Sequence, residues 1–363
     1  MNHSISRWQL TAIVISFTVG SSLLMAPNIT AAAADQDGWI SMLLATFVGL
    51  LLNLLMLKLL SMYNYASVYD IYDRILGKIG GAFFSFLFMF ITLHLAALVM
   101  RNYSNFMISV AIPEINSDVF VVMMMILVIF SASKGLQNLA RISQLFAPFL
   151  IILISLALLL VSNNFKLENV TPVTDESWKS IMEGAYPIIG FPFIEMLVFT
   201  ALLSFITNKT KIYRFYLIGT AVGGVLLSIA IFVTIGVEGP SVVDREVYAA
   251  YSMARSIQLG IILQRLEAVI GILWIVALFV KITVCFLAIQ FGLSHYTKGA
   301  DYTRYVLPVA ILVWTMSEHL HPDLVDFTDF VAINWTLYWL TAYVIFITIL
   351  GVGILFKKHK SMP

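Results

Sequence analysis

Residues 186–206 read Tyr-Pro-Ile-Ile-Gly-Phe-Pro-Phe-Ile-Glu-Met-Leu-Val-Phe-Thr-Ala-Leu-Leu-Ser-Phe-Ile, an apolar run of membrane length that interrupts itself. Pro187 and Pro192 lack a backbone donor, and Gly190 between them lowers the cost of leaving helical geometry. Glu195 follows inside the same run. In hydrocarbon an unpaired N–H or C=O costs several kcal/mol, so irregular backbone persists at membrane depth only where protein buries it or it lines a wet cavity. A carboxylate there adds roughly 2.5–3.5 kcal/mol on insertion scales, which makes Glu195 a candidate functional group in need of a partner.

The remainder of the chain supplies similar runs. With 60% apolar residues, 11% charged and a mean hydropathy of +0.94, it lies far from soluble proteins, where about 25% charged is usual. Runs near the roughly 20 residues that span about 30 Å of hydrocarbon fall at 8–33, 40–60, 81–110, 118–133, 139–161, 183–206, 214–237, 262–291, 305–317 and 331–356, the fourth and ninth being short. This predicts an all-α polytopic membrane protein with ten transmembrane helices in one domain, residues 1–363. The loops at 61–79, 162–182 and 238–261 are the long ones, and none has the composition of a soluble domain. The run that Arg7 opens continues past Pro27, too long for a cleavable signal. The single Cys285 excludes an internal disulfide.

Orientation follows from charge. Of the 21 Lys and Arg residues, fourteen fall on the side of the termini, four (Lys166, Lys179, Arg245, Arg255) on the other, and Arg101, Arg265 and Lys281 within spans. That asymmetry predicts both termini in the cytoplasm. Asp35, Asp37, Glu114, Asp118, Asp323, Asp326 and Asp329 gather outside and read as a solvated face.

The first span shares the behaviour of the sixth: Thr18-Val-Gly-Ser-Ser22 interrupts it about halfway, and Pro27 follows. Interrupted helices at the first of five and the sixth of ten spans predict an inverted repeat, about 8–161 and 183–356, with a site at the midplane. Close helix packing is the other reading of Gly20, Ser21 and Ser22. Free N–H groups at one half-helix end suit a carboxylate and free carbonyls at another suit an ammonium, so the pair of breaks fits a zwitterionic amino acid.

In the third span His94 and Arg101 lie seven residues apart on one face. Arg101 reads as a side chain snorkelling to the outer interface, and His94 as either a packed neutral imidazole or a functional one. In the eighth span Glu267, Trp274 and Lys281 share a stripe. Glu267 and Lys281 are about 21 Å apart along the axis and do not pair. Three destinations stand for Lys281: Glu195 as counter-ion, the carbonyls of the first break in place of a bound cation, or the inner interface. Residues 238–261 read as an outer lid with a short amphipathic helix. His319, His321 and Asp323 have no second cluster, so no metal is assigned. The Met123-Met124-Met125 run reads as lipid-facing or packing. No phosphate loop, nucleophile constellation or CxxC is present; the chain reads as a non-enzyme with no cofactor and no nucleic-acid partner.

The segments Ile5-Ser-Arg-Trp-Gln9, Val19-Gly-Ser-Ser-Leu-Leu-Met-Ala-Pro27 and Asp37-Gly-Trp-Ile40 resemble the opening of the spore germination permeases, the membrane B subunits of bacterial nutrient germinant receptors. Gln264-Arg-Leu-Glu267 followed by Trp274, and Phe191-Pro-Phe-Ile-Glu195, resemble that family's eighth and sixth helices. The resemblance covers essentially the whole chain. It implies membership of the amino acid-polycation-organocation transporter superfamily, a LeuT-like 5+5 inverted repeat, residence in the spore inner membrane, and partnership with an A subunit in the membrane and a C subunit that is a lipoprotein. It also implies a germinant pocket of Gly20, Ser21, Ser22, the Leu95 region, Gly190, Phe191, Pro192 and Lys281, although a lysine departs from an alanine-type pocket. Beside a scaffold that neither binds nor moves a solute, which would tolerate enlargement of Gly20 or Gly190, two functions stand. One is a nutrient-sensing receptor subunit. The other is a proton-coupled amino-acid permease in which Glu195, Lys281 or His94 exchanges the proton.

Overall fold

The computed structural model describes residues 4–256, 266–321 and 323–360. Its helices are α1 (Arg7–Val19), α2 (Ser22–Ala34), α3 (Gly38–Ser61), α4 (Val68–Phe106), α5 (Ser117–Lys134), α6 (Leu136–Val161), α7 (Trp178–Ile188), α8 (Ile212–Glu238), α9 (Pro240–Val243), α10 (Ala249–Ser256), α11 (Leu266–Tyr296), α12 (Val306–His319), α13 (Leu324–Asp329) and α14 (Trp335–Lys360). Among the described residues there is no strand, only an isolated bridge between Ile5 and Ile206.

Local sequence explains most of the boundaries. Ser6 and Gln9 form a reciprocal capping box that starts α1. Ser177 caps α7 and Asp323 caps α13 through their side chains. Gly135, at φ 84°, makes the turn between α5 and α6 that a side chain would resist. Asp35, at φ 40°, ends α2 and lets α3 pack back against it.

Eight stretches of the described chain are helical, long and apolar enough to cross a membrane, and one of them, Ser22–Ser61, divides at that Asp35 turn. The shorter α1 and α12 have 13 and 14 residues. The chain is an integral membrane protein, and its outward faces show it: Met123 and Phe130 on α5 and Leu145, Ile152 and Leu159 on α6 are exposed large apolar groups, suited to lipid rather than water. The Met run divides, Met123 facing out while Met124 and Met125 pack inward.

Three expectations need correction. The loop at 61–79 is partly helical: α4 begins at Val68 and kinks at Gly77, φ 73°, so that Asp73 doubles back against Gly81, where a Cβ would stand 2.7 Å from the Asp73 Cα. Arg101 does not snorkel but is buried and pairs with Glu318 of α12 at 3.5 Å. Asp37 is not on a solvated face; fully buried, it accepts from the Thr174 and Glu176 amides at 3.0 and 3.1 Å and fastens the loop before α7. The lid expected at 238–261 contains α9 and α10, pinned to α2 where Asn28 Nδ2 donates to the Asp244 carbonyl at 2.7 Å. Gln264 and Arg265 of the family-like motif lie outside the described residues.

Candidate functional site

The two interruptions meet around one buried ion pair. α1 ends at Val19 and α2 begins at Ser22, with Gly20 at φ −27°, ψ −96° between them. In the second, α7 gives way to a π-wound turn, Ile189–Ile194, in which Phe191 leaves helical geometry, and then to a 3-10 segment, Glu195–Ala201. Lys281 of α11 reaches into the space between. Its Nζ donates to Glu195 Oε2 at 2.5 Å and to Ser21 Oγ at 2.6 Å. Nζ also lies over the rings of Phe17 and Phe191, at 4.8 and 5.3 Å from their centroids. The other carboxylate oxygen of Glu195 accepts from Trp335 Nε1 at 2.5 Å. Glu195 and Lys281 are both 0% exposed.

A pair held this deep is sustained by its geometry, because each ion loses hydration that only the other ion and surrounding donors replace. Here Trp335, Ser21 and two aromatic faces supply those contacts. Ser21 stands at the N-cap of α2 yet makes no cap bond, its hydroxyl being committed to Lys281. Beside it Ser16 Oγ and Ser22 Oγ are buried without a hydrogen-bond partner.

The second break is closed by side chains from three other helices. Thr336 Oγ1 donates to the Tyr186 and Pro187 carbonyls at 3.1 and 3.0 Å. Asn53 Nδ2 donates to the Phe193 carbonyl at 3.1 Å, and the Tyr216 hydroxyl to the Met196 carbonyl at 3.1 Å. These satisfy acceptors released by the loss of α-helical bonding, as hydrocarbon depth requires. Gly190 admits the approach of α14: a Cβ there would stand 2.6 Å from the Thr336 Cα and closer still to its Oγ1. Gly20 is less confined, its nearest neighbours being the Phe17 carbonyl at 3.1 Å and Lys281 Cδ at 3.3 Å.

Of the residues singled out in the sequence, Ser21, Phe191 and Glu195 each meet Lys281, and Gly20, Ser22, Gly190 and Pro192 belong to the two breaks. Leu95 is buried on α4, and nothing among the described contacts joins it to the ion pair. His94 lies one ring away. It packs edge-on against Trp335 at 5.4 Å, stacks on His321 at 6.4 Å, and leaves Nε2 without a hydrogen-bond partner. His321 in turn meets Asp326 at 2.7 Å through Nδ1. Trp335 was missed by sequence reasoning. It is one of seven tryptophans and lies 140 residues beyond its partner, with no local signal to single it out.

Two broken helical segments packed around a buried polar centre, within a helical membrane protein, define a fold of the LeuT type, and solved structures agree. The chain matches a Na+-coupled sialic acid symporter with a TM-score of 0.58 and 12% identity over 97% of this chain and 79% of that one. It matches MHP1, a nucleobase-cation-symport-1 family transporter, with a TM-score of 0.62 and 11% identity over 98% and 91%. MhsT in complex with L-phenylalanine gives 0.60 and 11% over 98% and 99%. At such identities the likeness establishes the fold alone. Within that class the chain belongs to the spore germination permease family, whose model, described as spore germination protein, matches residues 4–320. Relatives in Bacillus subtilis (strain 168) include spore germination protein KB, 25% identical over 88% of each chain, and spore germination protein YndE, 24% identical over 81% of each.

Proposed function

We propose that this chain is the nutrient-sensing membrane subunit of a spore germinant receptor, crossing the spore inner membrane ten times with both termini in the cytoplasm. In this reading a small germinant, an amino acid, binds at the midplane between the two breaks, against Gly20, Ser21, Ser22, Leu95, Gly190, Phe191, Pro192 and Lys281. The observation that carries it is the convergence of both interruptions on the Lys281–Glu195 pair in a chain of this family. Family membership supports partners of the A and C types, a membrane subunit and a lipoprotein. Binding acts by favouring one of two conformers, and a solute that bound both equally would signal nothing.

The buried ion pair also favours a second reading, a proton-coupled amino-acid permease, because a carboxylate held between a lysine and an indole, with His94 one ring away, is chemically equipped to exchange a proton. Two measurements separate them. A thermal-shift screen of the purified protein against nutrients, repeated with Glu195→Gln, is expected to give a hit that the variant weakens. Reconstitution in liposomes is expected to show no uptake of that labelled nutrient, while deletion of the gene abolishes nutrient-triggered germination. Robust uptake would replace the receptor reading with the permease.

A further inference from the structure

About two helical turns outward of the ion pair, the structure leaves a group of hydrogen-bond donors without acceptors. Trp274 precedes Lys281 by seven residues on α11, about 10.5 Å at 1.5 Å per residue. Its indole is 0% exposed and its Nε1 has no partner. On the neighbouring α4, Asn102 and Asn105 lie eight and eleven residues beyond His94, which packs at the level of the ion pair. They are 1% and 3% exposed, and the Nδ2 of each lacks a partner.

Tyr248, at the entrance to α10, joins Trp274 and Asn102. Its hydroxyl donates to the Asn102 side-chain and backbone oxygens, both at 3.3 Å, and its ring lies 6.3 Å from the indole of Trp274. Phe106 packs edge-on against both, at 5.2 Å from Tyr248 and 4.9 Å from Trp274. Burial raises the Tyr248 phenol above its usual range and the positive charge of Arg101 opposes that shift, which puts a guanidinium within electrostatic reach of the group.

A buried N–H left unmade costs about 1–3 kcal/mol, and buried polar atoms in native proteins are nearly all paired. Several such donors under one lid therefore await an acceptor. The unpaired atoms are N–H groups, and the Arg101 charge nearby is already paired with Glu318, so the acceptor is a carboxylate or a carbonyl, and the aromatic rings favour a flat or apolar body attached to it. An ammonium satisfies none of these donors and would have only the aromatic faces to attract it.

We infer that Trp274, Asn102 and Asn105 form an outer site for the carboxylate of a small organic acid or amino acid, roofed by Tyr248 and α10 and separate from the midplane break. The inference extends the nutrient-receptor reading, since it takes the ligand to be the solute that the protein senses.

The test uses purified full-length protein and two probes of one shape, hydrocinnamate (a carboxylate without an amine) and phenethylamine (an amine without a carboxylate). Hydrocinnamate is expected to bind and phenethylamine not to bind at the same concentration. Trp274→Phe, which keeps the ring and removes the N–H, and Asn102→Leu are each expected to weaken hydrocinnamate about tenfold or more, with melting curves confirming folded protein. The proposal is overturned if hydrocinnamate fails to bind wild-type protein, if phenethylamine binds equally well, or if both folded variants bind as wild type does, which would leave the donors to ordered water. Because the two-probe comparison needs no variant, a misfolded substitution does not suspend the test. Hydrocinnamate binding with no loss of nutrient-triggered germination on gene deletion would retain the outer site and remove the receptor reading; the reverse pair of results would do the opposite.

Discussion

The two interrupted helices solve one problem in opposite ways. The second break extends from Ile189 through Ala201, and side chains of α3, α8 and α14 meet its carbonyls from three directions, with Gly190 pressed against the Thr336 backbone. The first is a two-residue interruption at Gly20 and Ser21, met from another helix by one ammonium beside the local Gly20 amide to Ser16 carbonyl bond, with the Ser16 and Ser22 hydroxyls left over. A segment fixed by many partners from several helices has one arrangement, whereas one reached by a single side-chain hydrogen bond from a neighbouring helix has fewer contacts to break. On the proposed reading the second break serves as scaffold and the first as the responding segment, where a solute that displaced Ser21 from Lys281 would remove the contact that α11 makes there.

The strongest way to break this comparison is to remove the shared cation. Lys281→Met leaves Glu195 buried and uncompensated, and its expected cost is about 3–5 kcal/mol, read as a large loss of thermal stability in detergent. The double variant Lys281→Met/Glu195→Gln is expected to recover most of that loss. If the single variant melts with wild type, the pair is not the joint between the breaks.

Next comes the scaffold break itself. Gly190→Ala drives a methyl group into Thr336, an overpacking expected to cost about 3 kcal/mol, while Gly20→Ala, with its looser surroundings, is expected to cost well under half as much; equal melting temperatures would erase the proposed asymmetry. Asn53→Leu removes the donor to the Phe193 carbonyl and is expected to cost about 2 kcal/mol by stranding a buried acceptor. The smallest effect separates structure from response. Ser22→Ala removes a hydroxyl that has no partner, so stability is expected at or slightly above wild type, while the nutrient-induced thermal shift is lost. Retention of that shift would take Ser22 out of the site.

Much of the candidate site was legible in the sequence, for a definite reason. Pro187, Gly190 and Pro192 act through backbone restrictions that each residue carries with it, so the sixth segment announced its own irregularity. Glu195 and Lys281 announced a need for partners, because an ionised group in an apolar run is rarely left alone. Neither residue could say whom it would meet. Lys281 had three destinations in the sequence, and packing chose Glu195 and the Ser21 hydroxyl together. Arg101 read as a snorkelling side chain until α12 brought Glu318 to it, and Asp37 read as solvated until the loop at 174–176 closed over it.

By itself, then, the sequence determined that this chain lives in a membrane, where most of its apolar helices lie, where two of them fail, and which family it resembles. These properties depend on apolar run length, on proline and glycine geometry, and on motifs contiguous in the chain. The tertiary structure alone decided that Trp335 would share Glu195, that three helices would seal the second break while one ammonium held the first, and that Trp274, Asn102 and Asn105 would be buried as donors without acceptors. Such pairings depend on how each helix is rotated about its axis and how closely its neighbour approaches, quantities that arise from the packing of all the segments at once and that no local stretch encodes.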